Sequence, residues 1–282
     1  MNNKFCTYET AWCPGCGNFA IIDCLKTALT ELGKKPSEVL VAAGIGQAAK
    51  TPQYINANAF CGLHGRSLPA AAAAKIANED LTVIVNTGDG DSYGEGGNHF
   101  LHNIRRNIDI THFVHDNQIY GLTKGQASPT SMLGIVTGVQ VDGNFNEPLN
   151  PVLLAIAAGA GFVARTFSGR KEHLTKIMKA AINYKGYALV DILQPCVSFN
   201  KINTFGWYNK RVYELPSDYD SSNKTTAITT AMEFGDKIPI GILYNKEKPV
   251  YHRKNRVLSD GIPLLDKPTS QSVVQELLQN YI

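Results

Sequence analysis

VNTGDGDSYGEGGNHFLHNIRRNIDITHFVHDNQIYGLTKGQ, residues 85–126, is the stretch whose reading decides the fold. The apolar run Leu81-Thr82-Val83-Ile84-Val85 leads into it and reads as a buried strand that ends at Gly88-Asp89-Gly90-Asp91. A helical pattern covers Gly97 to Arg106, with Asn98, His99, Asn103, Arg105 and Arg106 on it. A second apolar run, Ile110 to Val114, then ends at His115-Asp116-Asn117-Gln118. In a strand–helix–strand unit the two strand ends lie side by side and bring Asp89 and Asn117 to one point. A carboxylate and an amide carbonyl are hard oxygen donors suited to Mg²⁺, which also accepts water and phosphate oxygens. The flanking glycines let backbone N–H groups approach a diphosphate with no Cβ in the way. A lone Gly-Asp-Gly is most often a turn; its pairing with an asparagine at the next strand end makes a magnesium-diphosphate cradle.

Working outward, apolar runs at Val39-Leu40-Val41 and Ala188 to Leu193 read as further buried strands. Helical patterns occupy Asn18 to Leu32, Leu68 to Ala77, Pro151 to Ala158 and Lys171 to Tyr184. Strand alternating with helix predicts an α/β fold, a parallel sheet covered by helices on both faces. Ligands of such sheets bind beyond the carboxyl ends of the strands, where the glycine-rich segments fall. The regular alternation fades near Phe199, through Trp207-Tyr208, Ser217 to Lys224 and Asn245 to Asn255. The expected division is therefore a domain over 1–198, including an N-terminal CxxC segment, and a partner-wrapping extension over 199–282; a surface extension with no partner is the plainer alternative.

With 282 residues, 44% hydrophobic and 18% charged, the chain has ample material for a core and needs no staples. No stretch approaches the length of apolar sequence that spans a bilayer. The polar start Met1-Asn2-Asn3-Lys4 lacks the apolar core of a leader peptide, so a cytoplasmic protein is expected. The net charge of +3 is small and the basic residues are scattered, which argues against binding along a nucleic-acid backbone.

Six cysteines (Cys6, Cys13, Cys16, Cys24, Cys61 and Cys196) in such a chain suit metal or redox chemistry better than disulfides. Cys13-x-x-Cys16 alone is open to several readings: a thioredoxin-like redox pair, half a zinc site, or a disulfide. Cys24 falls inside the first helix as a small core residue. His99 and His102 lie one helical turn apart without the carboxylate of a known histidine metal motif, which favours a packing or hydrogen-bonding role. Arg105-Arg106 suits a salt bridge at a helix end as well as a substrate carboxylate or phosphate.

Three further segments go with the metal motif: Trp12-Cys13-Pro14-Gly15-Cys16-Gly17, Leu63-His64-Gly65-Arg66-Ser67-Leu68-Pro69, and Tyr120-Gly121-Leu122-Thr123-Lys124-Gly125-Gln126-Ala127-Ser128-Pro129-Thr130. The Asp89 and Asn117 pair resembles the cofactor motif of thiamine-diphosphate enzymes. With these segments, in order over roughly residues 10 to 210, the chain resembles the β subunits of 2-oxoacid:ferredoxin oxidoreductases. The resemblance implies a thiamine-diphosphate-binding fold with Mg²⁺ held by Asp89, Asn117 and the carbonyl of Ile119. It implies a cofactor lined by Ile45, Gly46, Gln47, His64, Gly90, Asp91, Gly121, Leu122 and Thr123, with His64 beside the reacting centre. It also implies a [4Fe–4S] cluster on Cys13, Cys16 and Cys196, the last in Gln194-Pro195-Cys196-Val197-Ser198-Phe199-Asn200. The chain departs from that pattern at Gly44-Ile45-Gly46-Gln47-Ala48, where Gln47 stands in place of the family's third cysteine. A thiolate from Cys61, a ligand from the partner chain, a three-iron cluster and no cluster all remain open at this point.

The implied reaction is CoA-dependent oxidative decarboxylation of a 2-oxoacid, pyruvate or 2-oxoglutarate, with electrons passed to ferredoxin in anaerobic metabolism. Thiamine enzymes also need a glutamate against the cofactor's pyrimidine ring. An α subunit is expected to bring it, with γ and δ subunits as further candidate partners. Two alternatives remain: a subunit of a non-oxidative thiamine decarboxylase or carboligase, and a non-catalytic scaffold for an iron–sulfur partner.

Overall fold

The computed structural model describes residues 4–6, 8–268 and 270–281; Met1, Asn2 and Asn3, on which the leader-peptide reading rests, lie outside the described residues. Eight strands build one sheet among them: β1 (Val39–Ala43), β2 (Asn58–Cys61), β3 (Thr82–Gly88), β4 (Thr111–Asp116), β5 (Phe162–Phe167), β6 (Ala188–Leu193), β7 (Val212–Glu214) and β8 (Ile238–Asn245). Their spatial order is β2-β1-β3-β4-β6-β5-β8-β7. Every pairing is parallel except β5 with β8. Parallel strands need crossovers, and helices supply them: α1 (Gly17–Glu31), α2 (Ser67–Ala77), α3 (Gly97–Arg106), α4 (Pro151–Ala158) and α5 (Lys171–Asn183). α6 (Phe205–Asn209), α7 (Lys224–Met232), α8 (Tyr251–Lys254) and α9 (Gln271–Gln279) follow.

Successive side chains along a strand point to opposite faces, so each buried strand feeds two cores. Val39, Val41, Ile84, Phe113, Ala188 and Val190 pack with Ile21, Leu25 and Leu29 of α1 and Leu174 and Met178 of α5. Their neighbours Ala42, Val83, Val85, Val114 and Leu189 pack on the other face with Leu68 of α2, Phe100 and Ile104 of α3, Ile156 of α4 and Ala227 of α7. The sheet is thus covered on both sides, as the strand–helix alternation predicts. Cys24 sits in the first of these cores, as expected of a small core residue.

Two interior strands escape the sequence pattern. β5 carries Arg165 and Thr166 in its middle, yet all six of its residues are buried. Arg165 lies directly across from Asp191 in the β5–β6 register, with Nε 3.9 Å from Asp191 Oδ2. Tyr93 donates its hydroxyl to Asp191 Oδ1 at 2.9 Å. The second is β8, which falls inside the segment read as a partner-wrapping extension. It instead runs antiparallel against β5, pairing Val163 with Tyr244, and brings β7 to the sheet's edge. Residues 199–245 therefore complete the body. Farther on, Val257, Leu265, Leu277, Leu278 and Tyr281 are exposed. Among the described residues no helix is long and apolar enough to cross a membrane.

Candidate functional site

The carboxyl ends of β1, β3 and β4 are neighbours in the sheet, and the loops leaving them line one cleft. The loop after β1 brings Ile45, Gly46 and Gln47; the turn after β3 brings Asp89, Gly90 and Asp91; the loop after β4 brings Asn117, Ile119, Gly121, Leu122 and Thr123. His64, from the turn before α2, lies at the exposed mouth of the same cleft. A Cβ placed on Gly46 or Gly88 would meet nothing within 4 Å, and one on Gly121 only Gln47 Cγ at 3.9 Å. That is open space against bare backbone, which a diphosphate requires.

Asp89 is buried and its Oδ2 accepts hydroxyl hydrogens from Ser128 at 2.5 Å and Thr130 at 2.7 Å. Thr130 Oγ1 also lies 2.8 Å from Asp116 Oδ1. Burial raises the Asp89 carboxyl above its usual range, and the two hydroxyls only partly offset it. A cation at this point would favour the ionised form. Asn117 Oδ1 accepts from the Ile119 amide at 3.0 Å, in a tight turn made by Gln118 at φ +57°. A non-glycine residue in that conformation is strained, and here it turns the chain sharply between Asn117 and Ile119. The oxygen set of carboxylate, amide and backbone carbonyl suits Mg²⁺ completed by phosphate and water oxygens. Among the described residues no three His, Cys, Asp or Glu side chains gather to hold a metal ion, and this set, with one carboxylate, does not need them.

Asp91, which lines the cleft, also ties its loops together. Its Oδ1 accepts from the Ile45 amide at 2.9 Å and from the Gly65 amide at 2.8 Å. One acceptor-only side chain thereby ties the loop carrying Gln47 and the turn carrying His64 to the turn that carries Asp89. Gly44 is required for that approach: its Cβ would lie 2.1 Å from Asp91 Oδ2. Gly90 is required for packing, since a Cβ there would stand 2.3 Å from the Tyr120 ring.

Cys13, Cys16 and Cys196 line a second pocket, with Trp12, Asn18, Gln194, Val197, Ser198 and Phe199. Burial pushes the Cys16 thiol up to about 11, and the nearby Cys196 and Cys13 add to the rise. Ser198 Oγ lies 3.1 Å from Cys13 Sγ, Gln194 Nε2 3.3 Å from Cys16 Sγ, and the Phe199 amide 3.5 Å from Cys196 Sγ. Donors directed at sulfur are what thiolate ligands of an iron–sulfur cluster use. The three thiols thus share one pocket, each with a donor toward its sulfur. Cys61 is exposed at the end of edge strand β2 and does not line this pocket. Gln47, Asn117 and Gly121 line both pockets and form their common wall. Gln47 Oε1 is buried without a hydrogen-bond partner, a condition that costs about 1–3 kcal/mol unless a ligand meets it.

A buried hydrogen-bond chain fixes the two sides of the cysteine pocket to each other. His115 Nδ1 donates to Asn18 Oδ1 at 2.6 Å, next to Cys16 and Gly17. Its Nε2 accepts from Asn86 Nδ2 at 3.0 Å, which also reaches Thr51 Oγ1 at 2.8 Å and the Ala48 carbonyl at 3.2 Å. Burial pushes His115, and likewise His112, down to about 3, so both are neutral in the fold. These lowered values mean that the unfolded chain takes protons first. Each histidine's contribution is complete above about pH 6.5 and is lost as pH falls toward about 3, at roughly 1.4 kcal/mol per pH unit. The imidazole resonances of both should stay unmoved between about pH 7 and about pH 5 in a nuclear magnetic resonance titration. A shift in that window would mean the buried chain is not formed.

Sequence reasoning missed Ser128, Thr130, Asn18, His115 and Gln194. Ser128 and Thr130 stand in a segment already singled out, but no local pattern shows hydroxyls folding back onto Asp89. Arg105 Nη1 lies 3.2 Å from His102 Nδ1 on the surface, and neither Arg105 nor Arg106 forms an ion pair among the described residues.

Comparison with known proteins agrees with this geometry. Residues 39–192 match the family model described as thiamine pyrophosphate enzyme, C-terminal TPP binding domain. Residues 196–260 match the model for the C-terminal part of the pyruvate ferredoxin oxidoreductase beta subunit. The chain is 44% identical over 277 residues to a 2-oxoacid:ferredoxin oxidoreductase subunit beta of Saccharolobus solfataricus, covering 94% of this chain and 90% of that one. It is 34% identical to a 2-oxoglutarate synthase subunit of Methanocaldococcus jannaschii, over 85% of this chain and 89% of the other. A solved 2-oxoglutarate:ferredoxin oxidoreductase from Magnetococcus marinus, with 2-oxoglutarate, coenzyme A and succinyl-CoA bound, superposes with a TM-score of 0.90 at 34% identity, covering 96% of this chain and 92% of that one.

Proposed function

The chain belongs to the β subunits of the 2-oxoacid:ferredoxin oxidoreductases, and from that membership we propose the residue roles by which it takes part in CoA-dependent oxidative decarboxylation of a 2-oxoacid. The observation that carries the proposal is the common wall: a diphosphate cleft and a three-cysteine pocket meet at Gln47, Asn117 and Gly121. A non-oxidative decarboxylase has no use for thiolates beside its cofactor, whereas transfer of electrons to ferredoxin requires an acceptor there.

Asp89, Asn117 and the Ile119 carbonyl hold Mg²⁺ in this reading, while Ser128 and Thr130 orient Asp89. Ile45, Gly46, Gln47, Gly90, Gly121, Leu122 and Thr123 line the cofactor. Asp91 keeps the Gln47 loop and the His64 turn in register with them. When bound, thiamine diphosphate supplies the nucleophile and the electron sink for loss of CO₂. Cys13, Cys16 and Cys196 hold the iron–sulfur cluster. His64, at the exposed mouth, meets the substrate, with pyruvate and 2-oxoglutarate as candidates. That mouth is covered by a partner α subunit, which brings the glutamate for the pyrimidine ring, and the exposed apolar side chains Leu265, Leu277, Leu278 and Tyr281 pack against partner chains. Ferredoxin takes the electrons, and the setting is the cytoplasm, where thiols stay reduced.

The test is 2-oxoacid- and CoA-dependent ferredoxin reduction by the chain with and without its partner subunit. Activity is expected only in the complex. Cys13→Ser should abolish ferredoxin reduction while thiamine diphosphate stays bound. Undiminished decarboxylation by that variant, without CoA or acceptor, would instead establish the non-oxidative reading; robust turnover by the single chain would sink the requirement for a partner.

A further inference from the structure

We infer that the fourth iron of the cluster is held by the side-chain amide oxygen of Gln47, so that the cluster has three thiolate corners and one oxygen corner. The inference rests on the cluster reading given above and concerns what stands opposite its three cysteines. Three sulfurs account for three corners, and all three belong to the cysteine pocket. Of the three residues common to both pockets, Gly121 has no side chain, and both lone pairs of Asn117 Oδ1 are taken, one by the Ile119 amide and one by Mg²⁺ in the reading above. Gln47 Oε1 is buried and has no protein partner.

The backbone that carries it is held on both sides. Trp12 Nε1, next to Cys13, donates to the Gln47 carbonyl at 2.8 Å, and the Ile45 amide is bound to Asp91. Gln194, the other amide of the pocket, also has a buried oxygen without a partner, but its Nε2 is engaged with Cys16 Sγ and the Pro195 carbonyl. Its head group is therefore committed to a thiolate already in the set. Cys61, the remaining thiol near this end of the sheet, does not line the pocket.

The chemistry follows from the donor. A neutral amide oxygen is a harder and weaker ligand for iron than a thiolate, and it leaves the assembly one negative charge less than four cysteines would. Cluster potential rises as negative charge is removed, and the oxygen-held iron is the first to leave.

The experiment uses the full chain, reconstituted without oxygen from iron-57 and sulfide, with Mössbauer and electron paramagnetic resonance spectra before and after mild ferricyanide oxidation. The wild type should show one iron in four distinct from the rest and lose that iron on oxidation, leaving a three-iron signal. Gln47→Cys should make the four irons alike and resistant to oxidation, and Gln47→Leu should assemble with three irons only. Circular dichroism shows that each variant is folded. Four equivalent irons in both the wild type and Gln47→Leu would overturn the assignment, as would loss of the distinct iron in Gln194→Ala or Cys61→Ser with its retention in Gln47→Leu. Iron content unchanged in Cys13→Ser is a separate result: it removes the cluster itself from this pocket, and the Gln47 assignment with it.

Discussion

Asp89→Asn should lower affinity for magnesium and thiamine diphosphate by about 100-fold or more while leaving the cofactor-free chain at least as stable as the wild type. Loss of partners that merely orient a metal ligand already costs roughly 10–100-fold, and here the charged ligand itself is neutralised. The second half of the prediction comes from burial. The Asp89 carboxyl is raised above its usual range by desolvation, so the apo fold gains nothing from its charge. An amide of the same shape keeps contact with Ser128 and Thr130, whose hydroxyls rotate to accept as readily as to donate. Calorimetric titration of the complex with its partner subunit, beside a thermal unfolding curve, measures both quantities. Weaker binding with an unchanged or higher midpoint identifies a ligand. Weaker binding with a collapsed midpoint would mean that Asp89 serves the fold.

The largest effect on stability should come from Arg165→Met, which is expected to destabilise the chain by about 3–5 kcal/mol. Arg165 is 1% exposed, and it is the cross-strand neighbour of Asp191 in the buried middle of the sheet. Removing the guanidinium strands Asp191 among other carboxyls. Asp116 is already held well above the ordinary range, first by burial and then by Asp191 and Asp89. The pair itself is worth far less than this number, because taking both charges out of water offsets most of their attraction. Arg165→Met with Asp191→Leu should therefore recover most of the loss, though Tyr93 then needs a new acceptor for its hydroxyl. Urea unfolding of the two single variants and the double variant closes the cycle. A double variant no better than Arg165→Met would show that the guanidinium matters for packing, for instance against Phe234, whose ring centre lies 5.4 Å from Cζ.

Much of this protein was legible from residues 85–126. The predicted helices over Gly97 to Arg106 and Pro151 to Ala158 have the predicted ends, and the strand over Ala188 to Leu193 does as well. These elements are readable because each is a local pattern, apolar residues at the period of a helix or in an unbroken buried run, bounded by glycine, proline or asparagine. β5 was not readable, since a buried arginine breaks an apolar run and its partner, Asp191, lies in another strand. β8 was missed because it follows the point where the strand–helix alternation fades, and it joins the sheet in the opposite direction from its neighbour.

The site divides in the same way. The sequence by itself determined which donors end up at strand ends, because Asp89 and Asn117 sit where two buried runs stop at glycine and asparagine. The family resemblance pointed to Cys13, Cys16 and Cys196, and the structure has them line one pocket. Only the tertiary structure decided that the hydroxyls of Ser128 and Thr130 close on Asp89, that Asp91 ties two loops to the turn carrying Asp89, and that Gln47 stands in the wall between the two pockets. Those contacts join residues far apart in the chain, such as Ile45 with Asp91 and Cys16 with Gln194. Spacing along a chain reports only what local backbone geometry repeats; which distant loops meet is set by the order of strands in the sheet, and that order is an outcome of packing.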